Sequence, residues 1–218
     1  MSTSIKQLIQ DKLPFTLPVM RVGANLIRHS ISKRRIRELL RTRNELFVEL
    51  GAGDKKGAGN WITVDMTPGC DIFWDLRKGL PFPNNRIAKI YSSHFFEHLS
   101  FQETQEFLDE CRRVLMPGGT FSICVPNARL YIEAYLKSEL LDADRFYGYR
   151  PAFNQTTRID SVNYIAYMDG HHKYMFDEEN LLRILEAKGF KNVHLRDFDA
   201  ELDLPERDAE SIYAEAEK

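Results

Sequence analysis

Residues 46–65, reading LFVELGAGDKKGAGNWITVD, constrain the fold more than any other stretch of this chain. Two short apolar runs, Leu46-Phe47-Val48 and Trp61-Ile62-Thr63-Val64, carry the β-branched and aromatic residues of buried strands, and each runs to a carboxylate, Glu49 or Asp65. Between them, Gly51 and Gly53 permit tight or left-handed backbone and let a ligand approach the main chain without meeting a Cβ. Parallel strands normally need a crossover of about a dozen residues or more, usually helical. The 51–60 connection is too short for a full helix, so a loop or a single turn is expected there, with little help from a helix dipole in binding an anion. An acid at the tip of the second strand is where nucleotide-cofactor folds accept hydrogen bonds from ribose hydroxyls.

Farther along, Ile72-Phe73-Trp74 reads as a third strand, and turn chemistry at 80–85 leads to a fourth over 88–92. Ser100 followed by Glu103 is a capping box, after which Phe107, Leu108, Cys111, Val114 and Leu115 recur at helical spacing. That helix is expected to stop at Pro117-Gly118-Gly119, with Phe121, Ile123 and Val125 alternating as a fifth strand. Asp177 should cap a last helix bearing Leu181, Leu182 and Leu185 and closing at Gly189, before strands over 193–198 and 211–216. Residues 4–43 read as two or three short helices broken at Pro14 and Pro18, with Ser32 as an N-cap ahead of Ile36, Leu39 and Leu40. Strands alternating with helices predict a largely parallel sheet covered on both faces. The expected organisation is one domain over 1–218, with an N-terminal helical cap over 1–44 and an insertion over 127–172 serving as a lid.

The 218 residues suffice for one well-buried α/β domain with decoration. No apolar run approaches the roughly 20 residues of a membrane span, and the polar, proline-interrupted start lacks a signal peptide's apolar core, so a cytoplasmic protein without membrane partners is expected. Cys70, Cys111 and Cys124 have neither the even count nor the paired spacing of a disulfide framework or thiolate zinc site. A net charge of −2 argues against a nucleic-acid binder working by bulk electrostatics. Basic residues crowd the N-terminal part (Arg28 to Arg43) and acidic ones the 197–210 segment, which suits two solvated faces, a mutual contact, or a basic rim attracting an acidic substrate.

Four further segments share one likeness. Taken with Glu49-x-Gly51-x-Gly53 and Asp65, the runs Asp71-Ile72-Phe73-Trp74-Asp75-Leu76, Ile90-Tyr91-Ser92-Ser93, His94-Phe95-Phe96-Glu97-His98-Leu99 and Arg113-Val114-Leu115-Met116-Pro117-Gly118-Gly119 resemble class I S-adenosylmethionine (SAM) dependent methyltransferases, in a compact type 11-like subgroup. The resemblance covers roughly residues 44–126; its departure is Lys55, which stands where the longer motif has a third glycine. It implies a Rossmann-like α/β fold with a seven-stranded sheet in the order 3-2-1-4-5-7-6, strand 7 antiparallel, and SAM as cofactor. It also implies roles. Asp65, with Met66 beside it, would take the ribose; Gly51 and Gly53 would pass beneath the methionine portion with Glu49 near its amino group; Asp75 and Leu76 would frame the adenine; Ser92 or Ser93 would face the methyl.

The run His94-Phe95-Phe96-Glu97-His98 admits several readings. If helical, it sets both histidines and the glutamate on one face. The literal His-x-x-Glu-His is also a zinc-peptidase signature. Ubiquinone-biosynthesis O-methyltransferases and small-RNA 3′-end methyltransferases resemble this layout with a Glu-x-x-Glu-His metal site, which His171 or His172 could complete here, although His94 replaces the first Glu. That replacement and the apolar Phe95 and Phe96, which suit packing under the cofactor, favour a metal-free site in which His94 or His98 accepts a proton or the histidines are purely structural. The aromatic and arginine-rich insertion, with Tyr147 and Arg150, suits an acceptor lid or a homodimer surface alike, and His171 and His172 fall at its end. The expected activity is transfer of a methyl group from SAM to an oxygen or nitrogen of a small molecule, with a sugar or saccharide precursor as candidate. A non-catalytic SAM-binding scaffold and a metal-dependent enzyme using the histidine motif are the alternatives.

Overall fold

In the computed structural model, which describes residues 16–154 and 156–218, seven strands form one sheet in the order β3-β2-β1-β4-β5-β7-β6. These are β1 (Leu46–Leu50), β2 (Trp61–Asp65), β3 (Ile72–Phe73), β4 (Ile87–Ser93), β5 (Leu115–Pro126), β6 (Lys191–Leu195) and β7 (Ser211–Glu217). Pairing is parallel from β3 through β5, while β7 runs antiparallel to both β5 and β6. Only central strands covered on both faces can be apolar throughout. Accordingly Leu46, Val48, Leu50 and Ile87 are fully buried. The carboxyl ends of β1, β2 and β4 therefore lie side by side on one edge, the position at which open α/β sheets bind ligands.

The β1–β2 connection contains no helix, as its length requires. It is held by hydrogen bonds from outside the loop instead: Asp71 Oδ2 accepts from Gly57 N (2.9 Å) and Thr63 N (3.2 Å), and Gly51 N donates to Val64 O (3.0 Å). The helix that would normally cover this face is supplied by the N-terminal segment. Here the structure corrects the sequence reading at one break: α1 is continuous over Thr16–Thr42 and does not stop at Pro18, while residues 4–15 lie outside the described residues. Pro18 falls in its first turn, where a missing N–H breaks no helical hydrogen bond; Pro14 lies outside the described residues. Ser32 is no cap. It sits buried in mid-helix and its Oγ accepts from Phe73 N (2.8 Å), pinning α1 to the edge strand β3 while Ile36 and Leu39 enter the core.

Helix α2 (Phe101–Val114) has both halves of the capping box, Glu103 N to Ser100 Oγ (3.3 Å) and Ser100 N to Glu103 Oε2 (2.8 Å), and it buries Phe107, Leu108, Cys111 and Val114. The Pro117-Gly118-Gly119 turn is absorbed into β5 as a bulge, across which the pairing with β4 jumps from Ile87↔Leu115 to Lys89↔Thr120. Helix α3 (Ala128–Leu136), α4 (Ala143–Phe146) and α5 (Ile159–Tyr167) belong to the insertion and have an aromatic core of their own, in which Tyr131, Tyr147 and Tyr164 are buried and Phe153 stacks on Tyr147 at 3.6 Å. Helix α6 (Glu178–Ala187) begins at Asp177, whose Oδ1 accepts from Asn180 N (2.8 Å). Strand β6 ends at Leu195 rather than near residue 198, because Arg196 turns into the β6–β7 connection. No helix among the described residues is long and apolar enough to cross a membrane.

Candidate functional site

A cavity of about 330 Å³ opens at the carboxyl ends of β1, β2 and β4. One wall is the β1–β2 loop. Gly51 (φ 72°) and Gly53 (φ 65°) both take left-handed backbone, which glycine adopts without strain. A Cβ on Gly51 would lie 2.4 Å from the Phe95 ring, so the loop and the turn after β4 touch at bare backbone. Asp65, at the tip of β2, shapes the loop: Oδ2 accepts from Gly53 N (2.9 Å) and Oδ1 from Thr67 N (3.2 Å). Each oxygen keeps acceptor capacity for a ligand hydroxyl. Glu49, at the end of β1, is paired with Lys55 Nζ at 2.7 Å; burial pushes its carboxyl upward, against the hydrogen bond from Lys55.

The opposite wall is the turn after β4. It is not α-helical: His94 takes left-handed backbone (φ 49°), and a single 3₁₀ turn follows over Phe96–His98. The helical face expected for His94, Glu97 and His98 is replaced by a tighter cluster around a buried carboxylate. Glu97 Oε1 lies 3.6 Å from His94 Nδ1 and 3.9 Å from His98 Nε2. Burial drives the His94 imidazole down to about 3 and the Glu97 carboxyl up to about 8, and it lowers His98 and His172 as well. His94 Nε2 is 2.8 Å from Ser211 Oγ on β7, and His98 Nδ1 is 2.9 Å from His171 O at the end of the insertion.

The third wall comes from the β6–β7 connection, as Leu202, Leu204 and Arg207. A buried network fixes it. Asp203 accepts from Arg196 Nη1 (2.6 Å) and Nη2 (2.9 Å), from Tyr91 Oη (2.8 Å) and from Asp199 N (2.8 Å). Tyr91 belongs to β4 and itself lines the cavity, so the carboxylate ties the third wall to the sheet.

Of the residues singled out from sequence, Glu49, Gly51, Gly53, Asp65, Ser93, His94 and His98 meet around this one cavity. Ser93 Oγ is buried there without a hydrogen-bond partner. Ser92 faces away, donating to Leu50 O (3.0 Å). Asp75 caps the 3₁₀ turn Leu76–Lys78 and pairs with Arg77 (3.0 Å); Leu76 is buried outside the lining and Met66 is exposed. His172 is buried against His98, with ring centroids 5.2 Å apart, and Tyr149 meets His171 edge-on. Tyr147 is packed inside the insertion, and Arg150 pairs with Asp144. Phe95, expected to pack under the cofactor, lines the cavity, whereas sequence reasoning missed Lys55, Thr67, Tyr91, Leu202, Leu204 and Arg207; the signal for Arg207 was a lone cation within an acidic run. Among the described residues no ion pair joins that run to the basic residues of α1. A larger cavity, about 740 Å³, lies in the insertion between Leu140, Tyr147, Phe153 and Arg158. It lacks the convergence of strand ends, left-handed glycines and buried ionisable groups found at the smaller one.

Comparison with known proteins agrees with this geometry. The profile of a family described as a methyltransferase domain matches residues 26–195. Among solved structures, a SAM-dependent methyltransferase from Archaeoglobus fulgidus is 18% identical, with 87% of this chain and 94% of that one covered at a TM-score of 0.50. A SAM-dependent methyltransferase from Mesorhizobium loti is 18% identical over 79% of this chain and 90% of its own, at a TM-score of 0.47. Phosphoethanolamine N-methyltransferase 2 from Haemonchus contortus, crystallised with SAM, is 12% identical over 85% of this chain and 52% of its own, at a TM-score of 0.49. No curated protein matches the chain. The family match spans most of the sequence, so the chain belongs to the methyltransferase-domain family and is a SAM-dependent methyltransferase.

Proposed function

We propose that the cavity at the ends of β1, β2 and β4 holds SAM and that the methyl passes to an oxygen or nitrogen of a small polar acceptor, with a sugar or sugar precursor as the candidate. One observation carries the reading: the left-handed glycines and the Asp65 carboxylate form one wall of the same cavity whose other wall is His94 and His98. The chemistry of the donor set fits the cofactor. Asp65 would accept from ribose hydroxyls, Glu49 would face the amino group, and Lys55 stands ready to exchange its pairing with Glu49 for the cofactor's carboxylate. The orphaned Ser93 hydroxyl supplies one more buried hydrogen bond. When bound, SAM supplies an electrophilic methyl on a sulfonium.

The chain's own contribution is chiefly orientation, since methyl transfer is an in-line displacement whose rate depends on holding the reacting atoms aligned. The acceptor is assigned to the side where His98 meets His171 and His172, so that the 127–172 insertion closes the acceptor end and the β6–β7 connection closes the cofactor end. A hydroxyl acceptor must shed its proton as it is alkylated. Its acidity rises steeply at that point, so an imidazole kept neutral by burial is base enough. His94 and His98 are the candidate acceptors of that proton, with Glu97 beside both.

Calorimetric titration with SAM and with S-adenosylhomocysteine tests the cofactor half; absence of binding by either removes this cavity from that role. The acceptor half is tested by S-adenosylhomocysteine release across sugars, sugar phosphates, amines and phenols, where turnover confined to a macromolecular acceptor would overturn the small-molecule reading.

A further inference from the structure

We propose that Glu97, His98 and His172 form a binding site for one divalent transition-metal ion of the zinc class. One carboxylate oxygen and one nitrogen from each ring all lie within 4.8 Å of one another. Their hydrogen bonds leave them without a donor. A backbone carbonyl only accepts, so His98 Nδ1, 2.9 Å from His171 O, and His172 Nδ1, 2.8 Å from Ile165 O, must each carry the ring proton. In the neutral rings both Nε2 atoms are then lone pairs. Glu97 is 3% exposed and its Oε2 has no hydrogen-bond partner, while Oε1 stands at 3.6 and 3.9 Å from the nearest imidazole nitrogens, too far for a good hydrogen bond.

Three acceptors thus converge where Glu97 and His172 are buried, which is unfavourable unless a cation or a proton sits among them. Nδ1–H bonded to a backbone carbonyl with Nε2 free is also the arrangement that orients a metal-binding histidine. The assembly is not accidental to one segment. Glu97 and His98 belong to the turn after β4, His172 to the end of the insertion, and Lys173 N donates to Glu97 O at 2.8 Å, which clamps the two together. Two imidazoles and a carboxylate suit zinc, cobalt, manganese or iron, whereas magnesium and calcium prefer an all-oxygen shell. Three protein ligands leave an open coordination position, and the His98 ring, partly exposed, is shared with the wall of the cofactor cavity.

The proposal does not rest on the acceptor assigned above, and with His98 Nε2 on the ion His94 is the base left for a hydroxyl acceptor. Its test uses the full chain freed of metal with a chelator and without a histidine tag. Calorimetric titration with Zn²⁺ and optical titration with Co²⁺ should each give one site per chain. His172→Ala and Glu97→Gln should each weaken binding by about 10- to 100-fold or more, while His194→Ala, an exposed control on β6, should leave it unchanged. SAM titration of the same samples reports whether each variant is folded and keeps the two readings separate. X-ray absorption of the Co²⁺-loaded parent protein should count two imidazole nitrogens, a result that needs no variant. If the parent protein binds SAM but takes up no Zn²⁺ or Co²⁺, or if the bound ion has no imidazole in its shell, the site is refuted and a proton on Glu97 is what relieves the cluster.

Discussion

Replacing Gly51 by alanine should be far more costly than replacing Gly53, although both glycines sit in the same loop with nearly the same backbone. At Gly53 (φ 65°) an added Cβ meets no atom within 4 Å, so only the left-handed conformation is strained. That strain is about 1–2 kcal/mol for an L-residue. Gly51 (φ 72°) carries the same strain, and its Cβ would also lie 2.4, 2.5 and 2.6 Å from three atoms of Phe95. Rotating the Phe95 ring, which packs on Phe96 and Phe107 at centroid distances of 6.0 and 5.3 Å, does not relieve the clash, because one of the three atoms is its Cβ. Overpacking of that kind adds about 1–3 kcal/mol, for a total of roughly 2–5 kcal/mol. In a domain of this size each kcal/mol moves the midpoint by about 2–4 °C. Thermal unfolding should therefore drop by roughly 2–8 °C for Gly53→Ala and roughly 4–20 °C for Gly51→Ala. Phe95→Ala should restore part of the loss in the Gly51→Ala background. Equal midpoints for the two single variants, or no rescue by Phe95→Ala, would refute the contact between the loop and the turn after β4.

Asp65→Ala should keep the fold and weaken SAM by about 10- to 150-fold, the worth of hydrogen bonds to a charged acceptor; calorimetric affinity equal to the parent's would exclude Asp65 from the ribose. Asp203→Ala leaves the Arg196 guanidinium buried without its partner, and breaking such a pair costs about 3–5 kcal/mol, to be read as a lowered urea midpoint together with weaker SAM binding as the Leu202–Arg207 wall loosens. The Glu103 carboxyl is held down to about 2 by the Ser100 N–H and by Lys173, below its unfolded value. Its contribution is thus complete above about pH 4.5 and lost as pH falls toward 2, so Glu103→Gln should unfold more easily than the parent at pH 7 and match it near pH 2; a gap that widens on acidification would contradict the capping role. Ser32→Ala should cost about 1–3 kcal/mol by orphaning Phe73 N, and an unchanged midpoint would show that α1 is held by apolar packing alone.

The parts of the molecule legible in the sequence are those fixed by neighbours in the chain. Strand ends at Glu49 and Asp65, the glycines between them and the Ser100–Glu103 box each depend on residues within a few positions, and local patterns report them well. Ser32 and Pro18 were misread by the same local rules. Serine favours caps and proline breaks helices in isolation, but a helix gains most of its stability from packing, and the partner of Ser32 is Phe73 N, far away along the chain. The third wall was illegible for a related reason. Asp203 looks like one more acid in an acidic run, and only the fold, by delivering Arg196 and Tyr91 to it, turns it into a buried anchor for Leu204 and Arg207.

The histidine motif shows how one backbone angle decides between chemistries. A helix through His94, Glu97 and His98 would have set three side chains in a row, and His172 would have had no reason to join them. With His94 in left-handed backbone, its N–H donating to Cys124 O at 2.9 Å, the chain turns sharply as it leaves β4. The following 3₁₀ turn then buries Glu97 beside His98, and the carbonyl of Glu97 accepts from the backbone N–H groups of Lys173 and Tyr174 at the end of the insertion. His172 arrives as a consequence of that capture. A variant that favours α-helical geometry at this position, His94→Ala, should therefore disturb His172 without touching it: loss of Zn²⁺ binding alongside retained SAM binding would confirm the coupling, and unchanged Zn²⁺ affinity would show that His172 is held independently by Ile165.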